Sequence, residues 1–143
     1  MDFSLLTDDA LSALENDRQY VPAVLEECFP DKHLIGTEAD LEILQEVLVS
    51  GPYTEDPEAE LLALGTMLGD LFAQAFEEFE WVIFSDEEGS TLAMRYAETS
   101  IVIFPRDMIV KRVERGEEEI DLQVIYEGVV QAVREMVESG EYS

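Results

Sequence analysis

Cys28 and His33 are the first residues whose types and spacing could do chemistry, because a thiol beside an imidazole can act as an activated nucleophile. They are the only cysteine and the only histidine of the chain. The sequence shows no third residue that would orient the imidazole, and no G-x-S-x-G elbow that would present a serine to it. A lone cysteine is more often a small buried residue than a nucleophile. We therefore expect no catalytic residue.

Runs of carboxylates could bind a divalent cation through oxygen ligands. The runs are Glu77–Glu78, 86–88 and 117–119. None of them fits the calcium-loop pattern, and no glycine-rich phosphate loop is present. We interpret residues 86–89 as a solvated hairpin turn and residues 117–119 as the acidic entry to a helix. The sequence therefore predicts neither a metal site nor a cofactor.

The positive charges are gathered in one place. Arg106, Lys111, Arg112 and Arg115 fall within ten positions, with Arg95 just upstream, although the chain has only 8 Lys and Arg against 34 Asp and Glu. One interpretation is that these cations neutralise the protein's own carboxylates and complement the end of a helix dipole. The other is an anion- or partner-binding patch, because exposed single ion pairs contribute too little stability to explain such clustering.

Aromatic residues on the predicted strands add two candidates. Core or sheet-face packing is the ordinary role of such rings, and stacking on a ligand is the alternative. The candidate ligand- or partner-binding residues are Arg95, Arg106, Lys111, Arg112, Trp81 and Tyr96.

Three strands are predicted in the middle of the chain. Residues 80–85 lead into the turn DEEG, residues 90–97 alternate between apolar and polar side chains, and residues 100–104 are apolar. Connections this short require antiparallel neighbours, so we expect a three-stranded meander over residues 80–104.

Helices are predicted on both sides of this meander. One covers residues 58–79, with Asp56 as its N-cap and Gly65 and Gly69 one turn apart. Each glycine costs about 1 kcal/mol of helix propensity relative to alanine, which indicates close approach of another backbone, expected to be the sheet. The others cover residues 106–115 and 121–138, the latter with the clearest amphipathic spacing.

The first part of the chain reads as helical. Apolar residues recur at helical spacing from Leu5 to Leu14, a second short segment covers residues 21–29, and Thr37 is the expected N-cap of a third. We therefore predict an α+β fold in a single domain, residues 1–143. It would comprise a helical N-terminal extension, residues 1–55, and an α-β-β-β-α core, residues 56–140.

The net charge of −26 limits the classes of partner. Long-range repulsion opposes binding to nucleic acid and to anionic membranes. The sequence has no secretory signal pattern and no apolar run long enough for a membrane span, so we expect a cytoplasmic location. The acidity could serve solubility, adaptation to a salty cytoplasm, or recognition of a basic partner.

Residues 61–133 resemble an uncharacterised family of small bacterial domains, described as a domain of unknown function. The segments that carry the resemblance are LGTMLGDLF, EWV, the glycine after DEE, RYAETSIVIFP, MIVKRVERGEE and DLQVIYEGVV. The resemblance implies an α-β-β-β-α core and brings no activity or catalytic residue. The residues before about 58 lie outside it.

Three functions remain open. The first is a non-catalytic adaptor module whose acidic surface meets a basic protein. The second is a binder of a small anionic ligand, or an enzyme, built on Arg95, Lys111 and Arg112. The third is a homodimer formed through an uncovered sheet face or strand edge.

Overall fold

A computed structural model describes residues 2–51 and 57–141. Within these residues, helices and strands are combined in the predicted α+β fold, with the expected order of helix, strands and helices. The elements are β1 (Asp2–Ser4), α1 (Asp8–Cys28), α2 (Asp40–Ser50), α3 (Glu58–Ala75), β2 (Phe79–Asp86), β3 (Gly89–Tyr96), β4 (Val102–Ile103), α4 (Pro105–Glu114) and α5 (Leu122–Ser139).

The described strands form a four-stranded antiparallel sheet in the order β1-β2-β3-β4, so the prediction of three strands was one short. The strand that the prediction missed is β1, in which Phe3 lies opposite Phe84 of β2. Their rings meet edge to face with centroids 5.7 Å apart. Three residues are too few to show a strand's alternation, so this pairing depends on a tertiary contact that the local pattern does not contain.

The hairpin between β2 and β3 has the predicted tight turn. Asp86 pairs with Gly89 across it, and Asp86 Oδ1 accepts a hydrogen bond from the backbone N–H of Glu88 at 2.9 Å. Gly89 has a φ of +135°, a backbone conformation that residues other than glycine rarely adopt. β4 is much shorter than residues 100–104, because only Val102 and Ile103 pair with β3.

The N-terminal segment folds as one long helix rather than the two predicted. α1 begins after Thr7, whose hydroxyl accepts a hydrogen bond from Ala10 N at 3.1 Å, and it runs through Pro22. Proline removes one hydrogen bond of the helix, and its ring clashes with the carbonyl four residues earlier, so the helix continues through it only where tertiary packing compensates for this cost. Buried side chains on both sides of Pro22, including Val21 and Val24, provide that packing.

The boundaries of α2 and α3 also differ from the prediction. α2 begins at Asp40 rather than after Thr37, and the Asp40 carboxylate accepts hydrogen bonds from Ile35 N and Gly36 N at 2.9 and 2.8 Å. α3 ends at Ala75, because the chain turns there into β2. The predicted cap of α3, Asp56, lies outside the described residues.

The two glycines of α3 have different neighbours. A Cβ at Gly65 would lie 2.7 Å from Arg106 Cα, so the backbone that approaches it belongs to α4 and not to the sheet. A Cβ at Gly69 would lie 2.8 Å from the indole Cη2 of Trp81, which does come from the sheet. The prediction of an approaching backbone is correct at Gly65, although that backbone is not the sheet, whereas the neighbours of Gly69 are side chains. Gly65 therefore sets how closely α4 lies against α3.

A cluster of buried apolar side chains draws on all five described helices. Its members include Val21 of α1, Leu44 of α2 and Phe72 of α3, and the Phe72 ring stacks on Tyr126 of α5 with centroids 5.4 Å apart. The N-terminal helices thus share a core with the segment that follows them. A second cluster joins one face of the sheet to α5, through Phe79, Met94, Ile101 and Val133.

Candidate functional site

An open groove lies between the turn end of the β2–β3 hairpin and α4, and it encloses about 590 Å³. We call it the α4 groove. Its volume falls within the range of 300–1,000 Å³ typical of small-molecule sites. It is lined by Phe84, Asp86, Glu88, Gly89, Ser90, Thr91, Phe104, Asp107, Met108, Lys111, Arg112 and Arg115.

The spacing of residues along α4 explains its wall of the groove. Phe104, Met108, Arg112 and Arg115 recur at intervals of three or four residues and therefore follow one helix face. The face is apolar at the N-terminal end of α4 and cationic at the other. Pro105 supplies the first helical residue, and the neighbouring backbone packs against Gly65. The α3–α4 contact thus fixes the position of this face.

The apolar part of the groove is built from aromatic rings. Phe84 and Phe104 meet edge to face with centroids 5.4 Å apart, and Phe3 supports Phe84 from β1. Both groove rings are partly exposed, so they present an apolar surface to the groove rather than filling the core. Such a surface suits a flat or apolar part of a ligand.

The cationic part of the groove contrasts with the rest of the chain. Among the described residues, Lys111 and Arg112 have no carboxylate oxygen within 4.0 Å, and Arg112 makes only a long hydrogen bond, from Nη1 to Met108 O at 3.4 Å. Arg115 forms an exposed ion pair with Glu117 at 3.1 Å, an interaction worth about 0–1 kcal/mol. The three cations are therefore available to an anion.

The hairpin wall carries polar and acidic groups. Asp86 and Glu88 are exposed at the turn, and one oxygen of Asp86 remains available beside the one that accepts the Glu88 N–H. The hydroxyl of Ser90 hydrogen-bonds that of Ser85 at 2.8 Å, and Thr91 is exposed. The groove thus combines hydrogen-bond acceptors on one wall with cations on the other.

Arg95 is engaged elsewhere. Its guanidinium donates hydrogen bonds to Thr99 O at 2.8 Å and to Glu98 O at 3.0 Å, and it lies over the ring of Phe3 with a distance of 4.1 Å to the centroid. These contacts hold the turn between β3 and β4 and pack β1 onto the sheet. Arg95 does not line the α4 groove.

Arg106 is also held inside the molecule. Its Nε donates a hydrogen bond to Asp17 Oδ2 at 2.9 Å, and Thr66 Oγ1 donates to the same oxygen at 2.6 Å. This network joins α1, α3 and α4. The interpretation that the cations neutralise the protein's own carboxylates therefore describes Arg106 and the exposed Arg115, whereas Lys111 and Arg112 have no such partner among the described residues.

The two aromatic candidates lie on the other face of the sheet from the groove. Trp81 packs on α3 and donates its indole N–H to Asp70 Oδ1 at 3.2 Å. Tyr96 contacts Phe76 and Phe79 edge to face, and burial, followed by the nearby Glu78 carboxylate, raises the pKa of its phenol. Both side chains contribute to packing between the sheet and the helices.

Of the six candidates, the structure brings only Lys111 and Arg112 into the groove, where Arg115 joins them. Arg115 belonged to the cationic cluster of the sequence but was left out of the candidates. Phe84 and Phe104 were recognisable as strand aromatics, and alternation along β2 could have separated Phe84 from Trp81, which points to the opposite face. Nothing local indicated that the hairpin turn would lie opposite α4.

Cys28 and His33 do not form a nucleophile pair in the described part of the chain. Cys28 is exposed at the end of α1, and no hydrogen bond links it to His33. Within residues 2–51 and 57–141, no group of three or more His, Cys, Asp or Glu residues is arranged to hold a metal ion. None of the described helices is long and apolar enough to cross a membrane.

Comparison with known proteins places residues 40–126 within the model of one family, described as Domain of unknown function (DUF3806). The match begins in α2, so the expectation that the resemblance excludes all residues before about 58 was wrong. A crystal structure of a protein from Bacteroides thetaiotaomicron VPI-5482 has a similar fold, with a TM-score of 0.77 and 19% identity. The alignment covers 90% of this chain and 47% of that protein, so this chain spans about half of its length. No curated protein matches the sequence.

Proposed function

The chain belongs to the family described as Domain of unknown function (DUF3806), and we propose that it is a non-catalytic binding module whose α4 groove receives an anionic ligand. One observation supports this most strongly. In a chain with 34 acidic residues, Lys111 and Arg112 face a cavity of about 590 Å³ without a carboxylate within 4.0 Å among the described residues. Unpaired cations beside an aromatic surface are suited to an anion that also has an apolar part.

The dipole of α4 does not account for these cations. A helix C-terminus carries roughly half a negative charge, and a single cation in the last turn is enough to offset it. Lys111, Arg112 and Arg115 lie within about one turn and supply three. The surplus leaves a cationic strip on the α4 side of the groove, although the net charge of the chain is −26, and this strip can attract an anion by short-range contacts.

We predict that replacing Arg112 with glutamate lowers the affinity for inorganic phosphate at least about tenfold, because a charge-assisted hydrogen bond is lost and a repulsion replaces it. Isothermal titration calorimetry at low ionic strength would measure the change. Arg134→Glu is the matched control, since it alters the net charge equally at an exposed position on α5 outside the groove. Equal losses in both variants would show a general charge effect and contradict the proposal.

A second candidate function is recognition of a basic protein by the acidic surface, in a cytoplasmic setting. The carboxylates that form ion pairs among the described residues include those of Asp17, Glu46, Asp70 and Glu117. The chain has 34 acidic residues, so its surface potential is strongly negative. Charge complementarity of this kind favours a basic partner and fast association.

For this second candidate, we expect a basic protein captured from native lysate to bind the purified chain with strongly salt-dependent affinity. The dissociation constant should rise at least about tenfold between about 50 and 300 mM NaCl, because the Debye length shortens over this range. Fluorescence anisotropy with the purified partner would measure it. Failure to capture any protein at low ionic strength would count against this candidate.

Assembly through a strand edge has less support. The edges of the sheet are β1 and β4, with three and two residues. Strands this short offer few unpaired backbone groups to a second copy.

A further inference from the structure

We infer that the ligand of the α4 groove is a phosphorylated aromatic compound of the nucleoside monophosphate class. This inference rests on the proposed function. It specifies that the anionic ligand has an aromatic ring, a single phosphate and the hydroxyl groups of a sugar. Three parts of the groove carry the inference. They are the cations of α4, the aromatic surface, and the acceptors of the hairpin wall.

The cations fit one phosphate group. Lys111 and Arg115 are four residues apart and Arg112 and Arg115 three, so their Cβ atoms lie about 5–6 Å from one another along the helix surface. Long side chains that start this close can converge on the three terminal oxygens of one phosphate. Arginine adds a planar fork that matches two of these oxygens.

The aromatic surface fits a planar ring next to that phosphate. Phe104 and Arg112 are eight residues apart, about 12 Å along the helix axis, and the Arg112 side chain reaches back one turn to hydrogen-bond Met108 O at 3.4 Å. Phe84 extends the apolar surface across to the hairpin. A ring held on these side chains would therefore lie roughly one sugar-sized spacer from the Arg112 guanidinium. Every nucleobase has a flat face that can stack on such rings. This surface therefore favours ligands that contain a base but does not distinguish one base from another.

The hairpin wall explains why the ligand carries a single phosphate. Asp86 and Glu88 would accept hydrogen bonds from the hydroxyl groups of a sugar, and the Thr91 hydroxyl can donate or accept. The same two carboxylates repel a second phosphate placed on their side of the groove. With the net charge of −26, this repulsion disfavours a nucleic acid strand and favours a mononucleotide.

The test compares probes on the wild-type chain by calorimetry at low ionic strength. The probes are adenosine monophosphate, ribose 5-phosphate, adenosine and inorganic phosphate. We expect adenosine monophosphate to bind at least tenfold more tightly than each of the other three, because only it engages the cations and the rings together. Phe104→Leu should bring its affinity to within about twofold of that of ribose 5-phosphate, because the contact with the ring is lost while the cations remain. Met108→Ala serves the same purpose if Phe104→Leu disturbs the fold.

The results of this experiment distinguish a failure of this inference from a failure of the proposed function. If adenosine monophosphate and ribose 5-phosphate bind equally, the inference of a ring is overturned while the anion site of the proposed function stands. If adenosine binds as tightly as adenosine monophosphate, the phosphate contributes nothing, and both the inference and the proposed function are overturned. If no phosphate-bearing probe binds, both are likewise overturned.

Discussion

Replacing Gly65 with alanine is expected to lower the free energy of unfolding by about 2–3 kcal/mol, although alanine is the better helix former. The added methyl group would lie 2.7 Å from Arg106 Cα and 2.8 Å from Arg106 O. These are backbone atoms, so no rotamer change can relieve the clash, and α4 must move away from α3. Urea denaturation followed by circular dichroism measures the loss.

Gly128→Ala is the matched control for this experiment. Gly128 also lies inside a helix, α5, but nothing would come within 4 Å of a Cβ at that position. Its replacement should therefore stabilise the protein by up to about 1 kcal/mol through helix propensity alone. If Gly65→Ala stabilises the chain as Gly128→Ala does, α4 does not lie against α3 as described, and the geometry of the groove would need revision.

Replacing Asp17 with alanine is expected to cost about 2–4 kcal/mol. Its carboxylate is 11% exposed and accepts hydrogen bonds from Arg106 Nε and Thr66 Oγ1. Removing it leaves the Arg106 guanidinium, 23% exposed, and the fully buried Thr66 hydroxyl without this partner. Thermal and urea denaturation would both report the loss.

A double-mutant cycle tests whether the cost comes from that network. Asp17→Ala combined with Arg106→Met should be less destabilising than the sum of the two single changes, because the cation no longer lacks its partner. Glu46→Ala provides the control, since the side chains of its ion pair with Lys32 are 39% and 36% exposed, and such solvent-exposed pairs contribute little to stability. Additive losses at Asp17 and Arg106 would mean that the two residues are not coupled.

The sequence predicted the elements that have long periodic patterns or sharp ends. The amphipathic spacing of α5 and the glycine after it place that helix within one residue, and Gly140 adopts the positive φ expected of a helix end. The turn DEEG places the hairpin with similar accuracy. In these segments, local preference and tertiary structure agree.

The errors occurred where tertiary contacts override local signals. β1 has three residues and pairs through Phe3, and α1 continues through Pro22 because side chains on both sides of it are buried. α3 was predicted to continue to residue 79 because Phe76 and Phe79 extend its apolar spacing, yet both pack between the end of the helix and the sheet. Apolar spacing alone does not distinguish these alternatives.

For the site, the sequence located the cationic cluster but could not separate its members. Arg106 and Lys111 are five residues apart, and a helix places such residues on different faces. One contacts Asp17, which precedes it by 89 residues, and the other lines the groove. Contacts over such separations are properties of the folded chain, so the division between structural and available cations required the structure.

We propose the α4 groove as the anion site of this protein. A titration of the isotope-labelled wild-type chain with inorganic phosphate tests this proposal. Nuclear magnetic resonance would follow the backbone amide resonances during the titration. We predict saturable shifts confined to residues 88–91 and 108–116, around Lys111 and Arg112. Shifts that do not saturate, or that are as large around Arg95 and Arg134 as in the groove, would contradict it.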